Sequence, residues 1–348
     1  MKLLITGASG YLGKYIIRDI QPKVSKLYLL VQKEYFENLK EDFGSYSNVE
    51  IIAGDIKNPL VFENEIDFNK IKVEVDTLLH TAGCNDEKTD LSTCYLKNVR
   101  GTQNILQMAK TWANLKTIHY VSTLAVVGDF KGILRPEVLD YNQKFSSDFA
   151  KSKFEAERLF REYDLGKIKK NIYRLGHLVG ESADGKSPPS RGPYKFFEGL
   201  VRLKPKNFLI NTLKYLPLPI DKEFIIPLIP VNQASEFIIK KVLKRGEKAT
   251  LKCYHVYSDR CPTIKDFVQE SFDKFGFSIN IVAAPKEKMI NPIMEKIGFS
   301  RNFLDNLFPI KAIPERNVGP IYPKKTRSVF NANKMDLFES VKNKTFNP

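Results

Sequence analysis

Short apolar runs alternate with amphipathic stretches through the first half of the chain. The first run, Leu3 to Ile5, predicts a short buried strand. A glycine turn follows, and then a helix that we expect to open at Gly13. Leu12, Ile16 and Ile20 recur at the spacing of one helix face. The pattern therefore predicts a strand–turn–helix unit.

The same alternation continues for another 160 residues or so. Further strands are predicted at Lys26–Val31, Val49–Ala53, Val75–Ala82, Lys116–Val121 and Asn171–Leu175. Helices are predicted at about Tyr95–Ala113 and Ser146–Tyr163, and a loop rich in Gly, Pro and Ser at Gly176–Pro193. Strands that alternate with helices are typical of an α/β fold with a doubly wound parallel sheet.

The glycine turn, Thr6-Gly-Ala-Ser-Gly10, predicts a pyrophosphate cradle. Gly7 permits the sharp turn, Gly10 leaves room for phosphates, and Gly13 lets the helix pack close to the strand. The helix N-terminus adds N–H groups and the positive end of the helix dipole. A turn that merely needs glycines is the alternative, and the position between strand and helix favours the cradle.

Beyond the loop the pattern is less regular. Predicted elements are a helix at Tyr194–Leu216 with a kink near Pro205, a helix at Asn232–Arg245, a strand of the main sheet at Tyr254–Tyr257, a helix at Thr263–Phe275 capped by Thr263 and ended by Gly276, and a strand at Ser278–Ala284. We therefore expect a dinucleotide-binding domain at 1–185, to which 221–260 return. Residues 186–220 and 261–348 would form a smaller substrate-binding lobe.

Composition excludes several protein classes. The hydrophobic and charged fractions, 43% and 27%, are those of an ordinary globular protein. Cys84, Cys94, Cys253 and Cys261 have no metal-ligand spacing, so we expect reduced thiols, no metal and a cytoplasmic protein. No apolar run reaches the roughly 18 residues of a membrane span, and the N-terminal run is too short for a signal peptide.

The net charge of +15 indicates either an anionic partner or simply a lysine-rich surface. The lysines are interleaved with acidic residues and lack the aromatic platforms of a nucleic-acid groove, so no nucleic acid is expected. A basic face would suit a dinucleotide phosphate or an acidic carrier domain. After the second strand, Gln32 and Lys33 replace the acidic residue typical of NAD sites, which favours NADP over NAD.

Together these motifs resemble the extended short-chain dehydrogenase/reductase superfamily. The resemblance is carried by Thr6–Gly13, Gly54-Asp55-Ile56, His80–Gly83, Asn98–Thr102 and Val121–Thr123. The stretches Tyr173–Gly180 and Ser182–Gly185 are similar to the branch of thioester reductase domains and fatty acyl-CoA reductases. The resemblance to the superfamily covers about residues 1–260, and its last recognisable motif is Pro230-Val231-Asn232.

The resemblance implies a Rossmann fold and assigns roles to residues. Asp55 and Ile56 would hold adenine, and Ala82 and Gly83 would line the ribose path. Asn98 would be a structural helix residue, Thr123 would bind the substrate carbonyl oxygen, and Lys153 would bind the nicotinamide ribose. The whole expected cofactor-binding set is Thr6, Gly7, Ser9, Gly10, Tyr11, Leu12, Gly13, Gln32, Lys33, Asp55, Ile56, Thr81, Ala82, Gly83, Asn98, Lys153, Leu175 and Gly176.

One catalytic group of the family is missing. The active-site helix of the family carries Tyr-x-x-x-Lys, and the matching stretch here is Phe149-Ala-Lys-Ser-Lys153. Cofactor binding does not need the absent hydroxyl, whereas proton transfer does. A positioned general acid contributes about 10²–10⁴ in rate. We therefore expect normal dinucleotide binding and poor carbonyl reduction, unless another group donates the proton.

Two other side chains are candidates for that proton donor. His177 follows the sixth strand, where a histidine could donate near neutral pH or only orient the loop. Tyr141 precedes the active-site helix and is the weaker candidate. His119 and His255 lie in apolar strands and are expected in the core, and His80 is expected to satisfy backbone groups at a strand end.

The sequence is compatible with three functions. The first is an NADP-dependent oxidoreductase that reduces an acyl thioester or related carbonyl, free or carrier-bound, with an atypical proton donor. The second is a redox-incompetent dinucleotide-binding protein that acts as a sensor, a scaffold or a catalyst of non-redox acyl chemistry. The third is a sugar-nucleotide epimerase or dehydratase. The sequence does not give the oligomeric state, and a homodimer is one alternative.

Overall fold

Strands and helices alternate along the chain as the hydrophobic pattern predicts. The computed structural model describes residues 1–84, 89–130, 132–181, 193–212, 214–218, 225–244, 250–258 and 261–283. The motif Ser182–Gly185, most of the predicted Gly/Pro/Ser-rich loop and the tail from residue 284 lie outside these ranges. Among the described helices, none combines the length and apolarity that a bilayer crossing requires.

The described elements are numbered in chain order. The strands are β1 (Lys2–Thr6), β2 (Lys26–Val31), β3 (Val49–Ala53), β4 (Thr77–His80), β5 (Thr117–Thr123), β6 (Lys169–Leu175), β7 (His177–Val179), β8 (Tyr215–Leu218), β9 (Leu228–Pro230), β10 (Leu251–Val256) and β11 (Asn280–Ala283). The α-helices are α1 (Tyr11–Ile20), α2 (Phe36–Phe43), α3 (Glu65–Glu74), α4 (Leu91–Tyr95), α5 (Gly101–Ala109), α6 (Asp148–Glu162), α7 (Pro193–Leu203), α8 (Asn207–Asn211), α9 (Val231–Val242) and α10 (Ile264–Lys274).

Seven strands form one parallel sheet in the order β3-β2-β1-β4-β5-β6-β10. This is the doubly wound Rossmann arrangement, with an added edge strand that returns from late in the chain. The strand order reverses between β1 and β4. In such sheets ligands bind outside the carboxyl ends of the strands at that reversal. The topology therefore predicts a ligand site at the residues that follow β1 and β4.

The middle of this sheet is apolar because helices cover both of its faces. Leu3, Leu4 and Ile5 of β1 are all fully buried. Continuous burial along a strand, rather than alternation, is the pattern of a parallel sheet packed on two sides. The apolar run that predicted β1 is therefore explained by its central position.

Several predicted boundaries differ from the observed ones. Helix α1 begins at Tyr11 rather than at Gly13, because Gly10 adopts an extended backbone and caps the helix one residue before it. The predicted helix Tyr95–Ala113 begins earlier, at Leu91, and contains a π-helical turn at Leu96–Arg100. The end of the predicted helix Tyr194–Leu216 is wrong, since residues 215–218 form β8.

The chain divides into two compact units. The first comprises residues 1–130, 135–175 and 232–256, and the second comprises 131–134, 176–231 and 257–348. The boundaries after residues 175 and 231 differ from the expected ones at 185 and 221, because the chain leaves the seven-stranded sheet when β6 ends. A substrate-binding role for the second unit stays a prediction.

The second unit has a core of its own, rich in phenylalanine. Phe197 packs near Phe267 and Phe275, with ring centroids 5.8 and 5.6 Å away. Its strands form two parallel pairs, β7 with β9 and β8 with β11. Helix α10 has the predicted cap and end: the Thr263 hydroxyl accepts from the Asp266 backbone N–H, and Gly276 has φ +85°.

Candidate functional site

Glycine is required at two positions in the strand–turn–helix unit, one in the turn after β1 and one in the first turn of α1. Gly7 has φ +75°, and a Cβ there would lie 2.5 Å from Thr81 Oγ1 and 2.6 Å from the Ala82 nitrogen. A Cβ on Gly13 would overlap the Gly7 carbonyl oxygen. No side chain caps α1 at Gly10, and the first N–H groups of a helix lack intrahelical partners. The turn therefore presents backbone donors at the sheet edge, as an anion cradle does.

Hydrogen bonds join the carboxyl ends of β1 and β4 beside this turn. Thr81 Oγ1 donates to the Thr6 carbonyl at 2.7 Å, and Thr6 Oγ1 lies 2.7 Å from His80 Nδ1. The other ring nitrogen of His80 lies 3.2 Å from Thr102 Oγ1. The expectation that His80 satisfies backbone groups is therefore wrong, since its described partners are two hydroxyl groups. Burial, aided by the charge of Lys153, lowers the pKa of His80 to about 3, so the ring is neutral.

A cleft opens at the carboxyl edge between β1, β2 and β4. Its described lining is Thr6, Gly7, Ser9, Leu30, Val31, Gln32, Gly54, Asp55, Ile56, Lys57, Ala82, Gly83 and Lys97. Eight of the residues expected to bind cofactor are among these. Lys33 is not in this lining; it begins a 3₁₀ turn at Lys33–Tyr35. Lys57 and Lys97 do line the cleft, and neither is among the residues predicted to bind the cofactor.

Asp55 is held from two sides within the cleft. Gln32 Nε2 donates to Asp55 Oδ2 at 2.8 Å, and the Lys57 backbone N–H donates to Oδ1 at 2.9 Å. The Lys57 ammonium lies 3.1 Å from Oδ2. Burial works against the charged form, but these hydrogen bonds and the Lys57 charge outweigh it and lower the pKa of Asp55. The carboxylate is thus ionised and fixed in orientation.

Gly83 joins the cleft to the buried lysine of α6. A Cβ on Gly83 would lie 2.6 Å from Asn98 Oδ1 and 3.9 Å from Lys153 Nζ. Lys153 is buried, and its ammonium donates to the Val121 carbonyl at 2.9 Å and lies 4.9 Å from the Tyr120 ring centroid. Burial lowers the pKa of Lys153 to about 8, although Glu157 favours the charged form. Three residues predicted from separate motifs are therefore neighbours.

Asn98 organises the backbone around this lysine. It lies in the π-helical turn, a feature frequent at functional sites. Its Oδ1 accepts from the Cys84 N–H at 2.8 Å, and its Nδ2 donates to Ser152 Oγ at 2.9 Å. Ser152 in turn donates to the Phe149 carbonyl at 2.9 Å. This agrees with the structural role expected of Asn98. Ser152 was missed, because a serine inside a helix gives no signal in sequence.

Thr123 and Phe149 lie at the ends of elements that Lys153 connects. Thr123 ends β5, and its hydroxyl accepts from the Ala125 N–H at 3.2 Å as the cap of a 3₁₀ turn. Phe149 is buried in the first turn of α6, four residues before Lys153 and so on the same helix face. Its side chain carries no exchangeable proton.

The sequence offers two other candidate proton donors, His177 and Tyr141. His177 belongs to the second unit, where its backbone N–H donates to the Pro227 carbonyl at 2.7 Å. Burial lowers the pKa of His177 to about 3, so it carries no imidazolium proton at neutral pH. Of the two roles that the sequence left open for His177, proton donation or orientation of the loop, this lowered pKa favours the second. The Tyr141 hydroxyl accepts from the Arg135 N–H, and its ring stacks 4.1 Å from Phe130.

Four further residues from the sequence analysis occupy structural positions. Leu175 ends β6 opposite Thr123 and is buried. Gly176 begins the 176–231 segment of the second unit, and a Cβ there would overlap the Pro227 carbonyl. His119 is in the core as expected, its Nδ1 2.7 Å from the Tyr173 hydroxyl, and His255 is buried 3.3 Å from Arg174.

A buried ion pair lies one helical turn beyond Lys153. Glu157 and Arg174 are both fully buried and meet at 2.8 Å, and Ser122 Oγ donates to Glu157 at 2.6 Å. Burial disfavours the charged carboxylate, but the guanidinium of Arg174 and the other hydrogen bonds outweigh it, so the pKa of Glu157 is lowered. Arg161 and Arg174 also donate to the four carbonyls of residues 135–138. This network fixes the segment between β5 and α6.

Comparison with known proteins identifies the family. The model of an NAD-binding family described as male sterility protein matches residues 5–238, about two thirds of the chain. The chain belongs to this family. The male sterility family has the extended short-chain dehydrogenase/reductase type of NAD(P)-binding fold, and the present member is thioester reductase-like.

Curated relatives are longer than this chain. A nonribosomal peptide synthetase from Aspergillus flavus is 25% identical over 243 residues, which is 63% of this chain and 24% of that protein. The L-2-aminoadipate reductase of Saccharomyces cerevisiae is 20% identical over 341 residues, 89% of this chain and 23% of the relative. The chain thus spans about a quarter of the length of these relatives.

A solved structure shares the fold. The terminal R domain from the myxalamid PKS-NRPS pathway superposes with a TM-score of 0.68 at 23% identity, covering 88% of this chain and 77% of that one. The male sterility family member therefore has the architecture of this domain, including its Rossmann sheet.

Proposed function

We propose that the protein is an NADPH-dependent oxidoreductase that reduces an acyl thioester, free or carrier-bound, or a related carbonyl. The contact that carries the proposal is the approach of Lys153 Nζ to Gly83, with the cofactor cleft on one side and the end of β5 on the other. Relatives named as a nonribosomal peptide synthetase and as an L-2-aminoadipate reductase support the substrate class.

The residues present fit a dinucleotide. The Gly7 turn leaves no room for a Cβ and offers backbone donors for the pyrophosphate. The ionised Asp55 and the neighbouring Ile56 would hold the adenosine end, and Lys153 the nicotinamide ribose. When bound, the reduced nicotinamide supplies a hydride to a carbonyl carbon.

Cations in the cleft support NADP rather than NAD. Lys57 and Lys97 line it, and the only carboxylate in its described lining, Asp55, is already engaged by Gln32 and Lys57. A 2′-phosphate would find a neighbouring ammonium in Lys57. We therefore assign the 2′-phosphate contact to Lys57, in place of Lys33.

The same helix that lacks the tyrosine offers another acid. Reduction of a carbonyl requires a donor to the oxygen and one proton for each hydride. The Thr123 hydroxyl lies at the end of β5 and would bind that oxygen. Lys153, whose pKa burial lowers to about 8, is mostly protonated at pH 7 and can release a proton there. We assign Lys153 as the atypical proton donor.

The proposal is tested with purified full-length chain, NADPH, and acyl-CoA, aldehyde and carrier-thioester substrates. Oxidation of NADPH is followed at 340 nm, and product formation is followed by mass spectrometry. Reduction of a thioester to an aldehyde consumes one NADPH and one proton and releases one thiol. Binding of NADPH without oxidation by any of these substrates would overturn the reductase assignment.

The buried Phe149 also supports a second function, a dinucleotide-binding protein without redox activity. Such a protein would bind NADPH and NADP⁺ with similar affinity and turn over neither. A variant that restores the hydroxyl separates the two functions, because it would remain inactive in a protein whose substrate site has also diverged.

A further inference from the structure

A second cavity lies in the first unit, at the opposite end of the sheet from the cofactor cleft. It has a volume of about 490 Å³, against about 110 Å³ for the cofactor cleft. It is lined at the amino ends of β4, β5 and β6 and by the residues that close α9, including Thr117, Asn171 and Val242. Sites for small molecules typically have volumes of about 300–1,000 Å³.

The cavity is strongly basic. Lys116 precedes β5, and Lys244 follows α9. Lys167 precedes β6 and Lys169 begins it, so three separate segments supply the charges. Asp76 is the only acidic residue in the described lining, and its oxygens accept from the Lys2 N–H and from the Thr77 hydroxyl. Positive charge therefore exceeds negative charge in this cavity.

A buried amide faces this basic cavity. Asn171 is only 6% exposed and lines the cavity. It lies opposite His119 in the register of β5 and β6. An amide carries both a donor and an acceptor, so Asn171 can hydrogen-bond a molecule in the cavity.

We propose that this cavity binds a small phosphate-bearing molecule. The phosphate would be held by the lysines, and the Asn171 amide would hydrogen-bond the body of the ligand. Lysine binds phosphate as a point charge, whereas carboxylates are typically held by the two-pronged arginine side chain. The described lining contains four lysines and no arginine. The site is separate from the cofactor cleft and does not depend on the proposed reductase activity.

The experiment measures binding of inorganic pyrophosphate to the full chain by titration calorimetry, at low ionic strength and with NADPH present to block the glycine turn. Two exposed cavity lysines are replaced in Lys116→Gln/Lys167→Gln. The matched control, Lys23→Gln/Lys265→Gln, removes the same charge at exposed positions outside the cavity. We expect the dissociation constant to rise about tenfold in the first variant and less than twofold in the control.

The isosteric change Asn171→Asp adds a negative charge inside the cavity and should weaken pyrophosphate at least as much, with folding checked by thermal unfolding. Equal weakening in both lysine pairs would show a general surface effect and overturn the proposal. So would the absence of any pyrophosphate binding when NADPH is present. Citrate that binds as tightly as pyrophosphate would overturn the assignment to phosphate.

Discussion

The ammonium of Lys153 donates a hydrogen bond to the carbonyl oxygen of Val121 at 2.9 Å. The two residues are 32 positions apart in sequence, and the bond fixes α6 against the carboxyl end of β5. The buried lysine is thereby held beside Gly83, at the edge of the cofactor cleft. Predictions for catalysis follow from this arrangement and from the phenylalanine one turn earlier.

A hydroxyl introduced at position 149 should raise the reaction rate. A positioned general acid contributes about 10²–10⁴ in rate, so we expect Phe149→Tyr to raise kcat for carbonyl reduction about tenfold or more, with the Kd of NADPH unchanged. Phe149→Leu is the control, because it removes the ring without adding a donor. Equal kcat values in the two variants would contradict the argument.

The pH dependence of kcat tests Lys153 as the donor. A general acid acts while protonated, so kcat should be level below pH 7 and fall as the pH rises through about 8, the pKa of Lys153. Lys153→Arg keeps the charge but does not titrate in this range, and its residual activity should show no such fall. A wild-type profile that stays level to pH 9.5 would exclude Lys153 as the acid.

The lowered pKa of Lys153 also makes the stability of the protein depend on pH. The pKa of Lys153 falls from 10.5 to about 8 on burial, so between these values the unfolded chain binds more protons than the folded one. The free energy of unfolding contributed by this group therefore rises with pH across that window. Urea unfolding at pH 7.5 and 9.5 should show a gain in the wild type relative to Lys153→Met.

Cofactor preference should depend on Lys57. Lys57→Gln should raise the Kd of NADPH about tenfold and leave that of NADH unchanged, because only NADPH carries the 2′-phosphate. Lys33→Gln is the matched control, with the same loss of charge outside the described lining of the cleft. Fluorescence titration measures both constants. If Lys33→Gln has the larger effect, the assignment from sequence is the right one.

Gly7→Ala should abolish dinucleotide binding. The alanine would have to adopt φ +75°, and its Cβ would overlap Thr81 and Ala82. Gly166 also has a positive φ, +61°, but open space around it, so Gly166→Ala isolates backbone strain, which costs about 1–2 kcal/mol. Calorimetric titration of NADPH should show normal binding in Gly166→Ala. Tight binding by Gly7→Ala would mean that the turn is not the cradle.

Breaking the buried ion pair should destabilise the first unit. Glu157→Gln leaves Arg174 charged and fully buried, and the loss of one partner of such a pair costs about 3–5 kcal/mol. Glu155→Gln removes a more exposed partner of Arg158 on the same helix and should cost less than about 1 kcal/mol. Urea unfolding compares the two, and similar losses would contradict a special role for Glu157.

Strands and turns were predicted well from sequence because their signals are local. The bounds of β2 and β3 match the prediction residue for residue, since a short run of mostly apolar residues can be recognised without its partners. The return of β10 to the main sheet was also confirmed. Short polar elements such as α2 and α3 were missed, because their patterns are weak.

The lining of the cofactor cleft could be identified only from the tertiary structure. The loop after β3 folds back through a bridge between Gly54 and Phe62. Asp55 and Lys57 lie in this loop and close one side of the cleft. Nothing in the spacing of Asp55 and Lys57 indicated that the lysine would engage the carboxylate, and Lys97 reaches the same cleft from the π-helical turn.

The sequence by itself determined the strand–turn–helix cradle, the alternating α/β order and the absence of a hydroxyl at Phe149. These depend on residue type and on neighbours a few positions away. Only the tertiary structure decided the pKa of Lys153, the partners of Asp55 and the basic cavity beside Asn171. Each of those depends on burial and on contacts between distant parts of the chain, which set the dielectric surroundings and the charges that a side chain meets.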